Sequence, residues 1–356
     1  MKINILSPNN FFKDHCSYSF AYPIIKSINL IRESGVNIRF LYSAEKKIFD
    51  CDILIIDSRF SGKKNKKKFI NFLQKNKKKN LKIIFADTAD NSGQIQNNFL
   101  LFADAYWKGQ ILKNKKNYLK SHYGGRLFTD FYKKKFNIID TKKQLSDKVS
   151  NKNLLKKIKV CWNMGLCDHG YLSHYKQKLF SIFKLKIFIN NSNKFFLPSN
   201  KRENPISCRI GTTYERKTIK FQREKISKVI KNLTETTKLN RYKYLNEIKN
   251  SKCVISPFGW GELCPRDFET FLNGAVLIKP NMETIDTWPN WYKVNQTYIP
   301  FDWDLTNLEQ KIENTIKNYE NFKNIAFDAQ KTYLLYTTKS DSEEIFANRF
   351  LKLIKK

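Results

Sequence analysis

The sequence predicts an α/β protein made of two Rossmann-like, doubly wound domains that face each other across a cleft. Three observations carry that expectation. Short Ile-rich apolar runs alternate with longer amphipathic stretches in both halves of the chain. The 356 residues suffice for two domains of ordinary size, roughly 100–200 residues each. With 41% hydrophobic and 14% aromatic residues, the chain has enough apolar side chains to fill two cores.

In order along the chain, residues 2–7 (KINILS) read as a strand and 19–33 as a helix. Residues 37–42 and 52–57 are further strands, 66–77 a very basic helix, and 82–87 (KIIFAD) the next strand. Strands this apolar are buried on both faces, which implies a parallel sheet with right-handed crossovers. The alternation weakens between residues 114 and 153, where loops and a short helix are expected. It resumes with strands at 158–162 (IKVCW), 186–190 (KIFIN) and 207–210, a helix near 217–233 and another at 240–250. A strand at 253–257, a helix at 265–273, a strand at 275–279 and helices at 305–321 and 342–355 complete the second half. The expected boundary divides the chain into 1–155 and 156–340.

The formal net charge is +34, from 66 basic and 32 acidic residues, and Lys far outnumbers Arg. A Lys-, Asn- and Ile-rich mixture fits the codon drift of an AT-rich genome, with attraction to anionic partners as a consequence. A nucleic-acid reader would favour Arg for bidentate contacts, so no nucleic acid is expected as partner. The basic runs at 63–68 and 77–79 read as solvated faces. Seven cysteines without a CxxC pair suggest neither a disulfide framework nor a zinc site, and fit a reducing, cytoplasmic compartment. The opening is too short in apolar residues for a signal peptide, and no run approaches the ~20 residues of a membrane span. Peripheral contact with an anionic inner membrane face remains compatible with the charge.

The segment 256–280, SPFGWGELCPRDFETFLNGAVLIKP, carries the chemistry. A strand ends there, a loop with Gly259 and Gly261 follows, and a helix starts near Pro265, where proline suits the first turn. Glycines admit close backbone approach and a helix N-terminus favours anions, so the turn is either a phosphate site or an ordinary strand-to-helix connection. Glu262 and Asp267 lie where acidic residues serve a helix dipole. Glu269 sits further in, on one face with Asn273, and could hold a sugar diol.

This segment resembles the donor-binding motif of GT-B glycosyltransferases. Phe258-Gly259, Glu269, Gly274 and the apolar 276–278 stand in the arrangement seen in many retaining members. The longer string 256–292 is similar to exostosin-like and family-1-like bacterial enzymes of surface-polysaccharide gene sets. The departure is a Glu-x6-Glu pair, Glu262 and Glu269, where retaining enzymes have Glu-x7-Glu. Counting back in that longer pattern from Glu269 lands on Gly261. The resemblance implies a nucleotide-sugar donor and a glycan or lipid-linked acceptor, with no metal or other cofactor. It also implies a C-terminal helix, 341–356, that packs back on the first domain.

Site residues follow from the same reading. Arg209, at a strand end, with Arg216, Lys217 and Arg266, are candidates for holding the donor diphosphate, since an Arg fork binds two oxygens at once. Phe258, Gly259, Gly261 and Glu269 complete the donor set. Asp90, after a strand in the first half, is the candidate base toward an acceptor hydroxyl, with Glu262 as a second catalytic candidate. His122 and Arg126, around the Gly124-Gly125 turn, are candidates for the acceptor. Competing readings are a nucleotide-sugar epimerase on the same fold and a basic nucleic-acid-binding protein.

Overall fold

Alternation along each strand sends side chains to two separate cores. In the computed structural model, which describes residues 1–62, 66–142 and 144–355, Ile53 and Ile55 join one apolar cluster while Leu54 and Ile56 join another on the opposite face. Ile84 and Ala86 divide from Ile83 and Phe85 in the same way. Both faces are therefore covered, as a parallel sheet requires. The first three residues of the 63–68 run and the last of helix 341–356 lie outside the described residues.

The first sheet contains β1 (Lys2–Leu6), β2 (Asn37–Leu41), β3 (Ile53–Asp57), β4 (Lys82–Asp87) and β5 (Ala105–Lys108). A short strand, β6 (Gln110–Leu112), leaves the sheet, and β7 (Ile158–Val160) completes it. The order is β2-β1-β3-β4-β5-β7, every pair parallel. The strand at 158–160, placed in the second half by the sequence, thus belongs to the first sheet, with Tyr106 opposite Ile158. One face of this sheet carries α1 (His15–Lys26) and α2 (Ile28–Glu33). The other carries α3 (Ser58–Gly62), α4 (Lys66–Asn76) and α5 (Asn97–Phe102). The predicted helix 19–33 is two helices that meet at Ser27.

Next come α6 (Leu127–Phe136) and α7 (Ser173–Phe183). The predicted strand 186–190 is instead a short 3₁₀ turn, Lys186–Phe188, with Ile187 72% exposed. It pairs with no strand among the described residues.

The second sheet contains β8 (Asn204–Ser207), β9 (Ser251–Ile255), β10 (Val276–Pro280) and, after β11 (Ile285–Thr287), β12 (Ile299–Phe301). Its order is β12-β10-β9-β8, again all parallel. Helices α8 (Lys217–Val229), α9 (Arg241–Asn250), α10 (Pro265–Leu272) and α11 (Leu308–Lys317) cover it. Ile226 of α8 and Ile312 of α11 pack with Ile255 and Ile278 on one face. Ile248 of α9 meets Val254 on the other. The fold is thus two parallel α/β sheets, each covered on both faces.

Several structures join the halves. Strand β11 of the second half pairs antiparallel with β6 of the first. Helix α12 (Tyr319–Thr337) follows α11 across Asn318. The final helix, α13 (Ser342–Lys355), then lies on the first sheet, where Phe346 and Phe350 pack against Trp162 and Arg349 donates to the Val160 carbonyl. The carboxyl ends of β4 and β9 consequently open onto a common space, where open α/β sheets bind their ligands.

Candidate active site

A cavity of about 670 Å³ occupies that space. Its first-half wall is made by the turn after β4, by the start of α1 and by Arg59. Its second-half wall is made by the loop 259–261, the opening of α10 and the side chain of Glu269.

The wall of the first half is built by aspartates at strand ends. Asp57, the last residue of β3, accepts from the backbone N–H of Arg59 at 2.9 Å and from the Thr88 hydroxyl at 3.1 Å. Burial raises its pKa despite those bonds. Asp87, the last residue of β4, is buried in an ion pair with Lys108 at 2.8 Å and accepts from the Tyr106 hydroxyl at 2.6 Å. These two residues fix the turn that presents Asp90. Asp90 lines the cavity, and its Oδ1 accepts from the Cys16 thiol at 3.2 Å. Arg59 Nη2 donates to Cys16 Sγ at 3.0 Å. Burial, reinforced by the charge of Asp90, pushes the Cys16 thiol up to about 12, so it stays protonated and acts as a donor to the carboxylate.

The wall of the second half centres on Glu269. Helix α10 opens with Pro265, and Asp267 caps it by accepting from the Cys264 N–H at 3.2 Å. Asp267 is itself locked, ion-paired to Lys279 at 3.1 Å and bonded to the Tyr292 hydroxyl at 2.6 Å, all out of solvent. Glu269, two residues on, turns to the cavity. Its Oε1 accepts from Arg241 Nη1 at 2.9 Å, and its Oε2 has no hydrogen-bond partner among the described residues. Arg241 also donates to the carbonyls of His169 and Gly170, which ties α9 to the loop before α7. Burial lowers the His169 pKa, so its ring is neutral at pH 7.

Arg223 also lines the cavity. Its Nε donates to the Phe258 carbonyl at 3.0 Å and its Nη1 to the Gly211 carbonyl at 3.1 Å, with the guanidinium 4.6 Å from the Tyr214 ring centre. Burial lowers its pKa from the usual arginine value, but not enough to remove the charge. Trp260, 45% exposed, completes this end as an aromatic surface.

The two walls touch. A Cβ at Gly261 would overlap the Asp90 carbonyl, so only glycine permits this approach. Gln110 Nε2 donates to that same carbonyl.

Of the residues singled out from the sequence, Asp90, Gly259, Gly261 and Glu269 therefore meet at the cavity. The others do not, and each has a physical reason. Arg209 is taken by Glu247, whose two oxygens lie 2.5–3.0 Å from its Nε and Nη2, and it does not line the cavity. Arg216 donates to the Gly124 carbonyl and to Gln144, stacking on Trp260 at the seam between halves. Lys217 is exposed on α8. Phe258 is a core side chain, and only its carbonyl serves the site. Arg266 points behind α10 and donates to the Arg209 carbonyl. Glu262 is buried and bonded to Ser92, so it has no access to a substrate. His122 and Arg126 are buried structural groups of the 122–126 turn, bonded to the carbonyls of Asn117 and Gly124 respectively. Arg223, Arg241 and Arg59 were missed. Their side-chain partners lie 12–72 residues away in sequence, so local pattern offers no signal for them.

Among the described residues, no group of three or more His, Cys, Asp and Glu side chains is placed to hold a metal ion.

Neither a protein-family model nor a curated protein matches the chain. Solved structures of loosely similar shape do. HepE of Anabaena in complex with UDP-glucose is 10% identical, with a TM-score of 0.47 over 100% of this chain and 99% of that one. A glycosyltransferase from Rickettsia africae is 12% identical, with a TM-score of 0.45 over 99% and 97%. An alpha-glucosyltransferase in complex with UDP-glucose and DNA containing an abasic site is 10% identical, with a TM-score of 0.44 over the whole of both chains.

Proposed function

We propose that the protein is a glycosyltransferase that uses a nucleotide-sugar donor. The observation that carries this reading is the placement of Glu269. Its carboxylate lines the same cavity as the opening of α10, Arg223 and, from the other half of the chain, Asp90.

In this reading the second half binds the donor. Glu269 holds the ribose through its unpartnered oxygen, and Trp260 offers a face to the base or sugar. Arg223, rather than Arg209, neutralises the diphosphate as it leaves, helped by the N-terminus of α10. The first half presents the acceptor hydroxyl to Asp90. Enclosure between the halves excludes water and limits hydrolysis of the donor. The reaction needs no bound metal in this scheme, since fixed cations and a helix end supply the positive field. The motif's resemblance supports a glycan or lipid-linked acceptor of a surface-polysaccharide pathway.

The test is a thermal-shift panel of UDP, GDP, ADP, CMP and their sugars on wild type and Glu269→Ala. A selective stabilisation by one nucleotide, lost in the variant, is the expected result. A folded wild type that no nucleotide stabilises would refute the donor site. Turnover that persists in a chelator checks the metal-free scheme.

A further inference from the structure

We propose that the outer face of α7 and the turn that follows it form a docking surface for an anionic phospholipid bilayer.

Helix α7 has two faces of opposite use. Ser173, His174 and Gln177 line the cavity, and Phe180 is buried against Phe11 and Tyr18. The opposite arc carries Tyr175, Leu179 and Ile182, at the i, i+4, i+7 spacing of one helical stripe. Tyr175 and Ile182 are 62% and 61% exposed. Phe183, the last residue of α7, and Leu185 and Ile187 of the turn beyond it extend this apolar surface, all exposed. Single exposed apolar residues are ordinary, but a continuous set of this length marks an interaction site.

Charge selects the partner. No Asp or Glu occurs between Asp168 and Glu203, whereas Lys178, Lys186 and Lys194 of that stretch are exposed. Lys178 and Lys186 flank the apolar stripe. Lysines beside exposed aliphatic and aromatic side chains fit the boundary of an anionic bilayer, where apolar groups enter the acyl region and ammonium groups meet phosphates. Lys184 is the instructive exception. It turns inward at φ 55°, donates to the Asn9 carbonyl and stacks on Phe11, so the α7 end is fastened to the body of the protein. The stripe is therefore a rigid face rather than a loose tail. Among the described residues no helix is long and apolar enough to cross a membrane, so the contact is peripheral.

Because the inner face of α7 is a wall of the cavity, docking through its outer face would hold the cavity about one helix diameter, roughly 10 Å, from the lipid surface. That placement favours a lipid-anchored acceptor; this last step rests on the glycosyltransferase reading, whereas docking itself does not.

The experiment is co-sedimentation of the full chain with phosphatidylglycerol-containing vesicles and with pure phosphatidylcholine vesicles, without donor or acceptor. The variant is Leu179→Glu/Ile182→Glu, both on the exposed arc, with Tm measured alongside and oligomeric state measured by light scattering. Wild type should pellet with the anionic vesicles and weaken as salt rises. The variant, at unchanged Tm, should bind about tenfold or more weakly, as expected for two aliphatic side chains withdrawn from lipid. Equal binding by variant and wild type would overturn the assignment to α7. A wild type that stays in the supernatant would overturn the proposal, and if it is then a dimer that the variant dissociates, the surface belongs to a second copy of the chain. A failed nucleotide panel would leave the docking result standing.

Discussion

Replacing Glu262 by alanine should destabilise the protein without acting on the chemistry directly. The Glu262 carboxylate is 2% exposed and reaches across the seam into the first half. Its Oε2 accepts from the Ser92 N–H at 3.1 Å and its Oε1 from the Ser92 hydroxyl at 2.6 Å. Burial raises its pKa, and the charge of Arg126 opposes that rise. Arg126 is itself brought down to about 10 by burial, with Glu262 the largest attraction holding it up. Hydrogen bonds to a charged group contribute about 1.5–3 kcal/mol each. Removing the carboxylate also takes away the largest attraction on the Arg126 charge, which stays buried. Relief of the carboxylate's own desolvation subtracts from these losses, so a net loss of about 3 kcal/mol is expected. At about 2–4 °C per kcal/mol for domains of this size, Tm should fall by roughly 6–12 °C. Glu262→Gln keeps an acceptor for Ser92 and should lose less than half of that. Thermal unfolding followed by circular dichroism, with turnover measured well below Tm, separates the alternatives. A Tm within about 2 °C of wild type together with abolished turnover would refute this account and return Glu262 to a catalytic role.

Gly261→Ala should force the loop 259–261 away from Asp90, at about 1–3 kcal/mol of overpacking, and lower turnover as the seam opens. Gly211→Ala is its control, since a Cβ there meets nothing within 4 Å, and wild-type-like turnover of Gly261→Ala would show that the close approach is dispensable. A second seam contact has a pH signature. The Asp304 carboxyl is held at about 2, first by the hydrogen bond from Lys135, 2.5 Å away on α6. A depressed carboxyl contributes its full stability above the unfolded value of 3.8 and loses it as pH falls toward about 2. The Tm difference between wild type and Asp304→Asn should therefore be constant near neutrality and shrink between about pH 4 and pH 2. A difference independent of pH across that window would show that the ion pair does not carry it.

What the sequence makes legible is what local pattern encodes. Strands β3 and β4 are readable because burial on both faces leaves unbroken apolar runs such as ILII at 53–56. Helix α10 is readable because Pro265 and Asp267 mark its start within three residues. Long-range pairing is not encoded that way. Arg209 looks like a phosphate ligand until Glu247, 38 residues later, is seen to hold it. Arg241 looks like a surface residue of α9 until Glu269, 28 residues later, receives it. The turn at 122–126 looks like a polar site, yet Gly124 and Gly125 at positive φ serve to fold it over Thr129 and Gln94. The KIFIN run misleads in the other direction, since apolar residues signal a strand only when a sheet edge is present to receive them.

The spacing of the two glutamates acquires a physical meaning from the seam. With Glu269 in the cavity, the longer Glu-x7-Glu pattern would place its first carboxylate at position 261. A side chain there has no room, because a Cβ at Gly261 would come within 2.9 Å of the Asp90 Cβ and overlap its carbonyl. The carboxylate at that point of the cavity is supplied by Asp90, from the other half of the chain, while Glu262 is turned to Ser92. This makes Asp90→Asn the decisive substitution for the chemistry. Asparagine retains an oxygen to accept from the Cys16 thiol, so the local geometry and Tm should be kept. Loss of a positioned proton acceptor should lower kcat by about 10²–10⁴-fold, with the nucleotide-induced thermal shift intact because Glu269 and Arg223 are untouched. Turnover within about threefold of wild type would exclude Asp90 as the proton acceptor, and a lost nucleotide shift would mean that Asp90 helps to hold the donor instead.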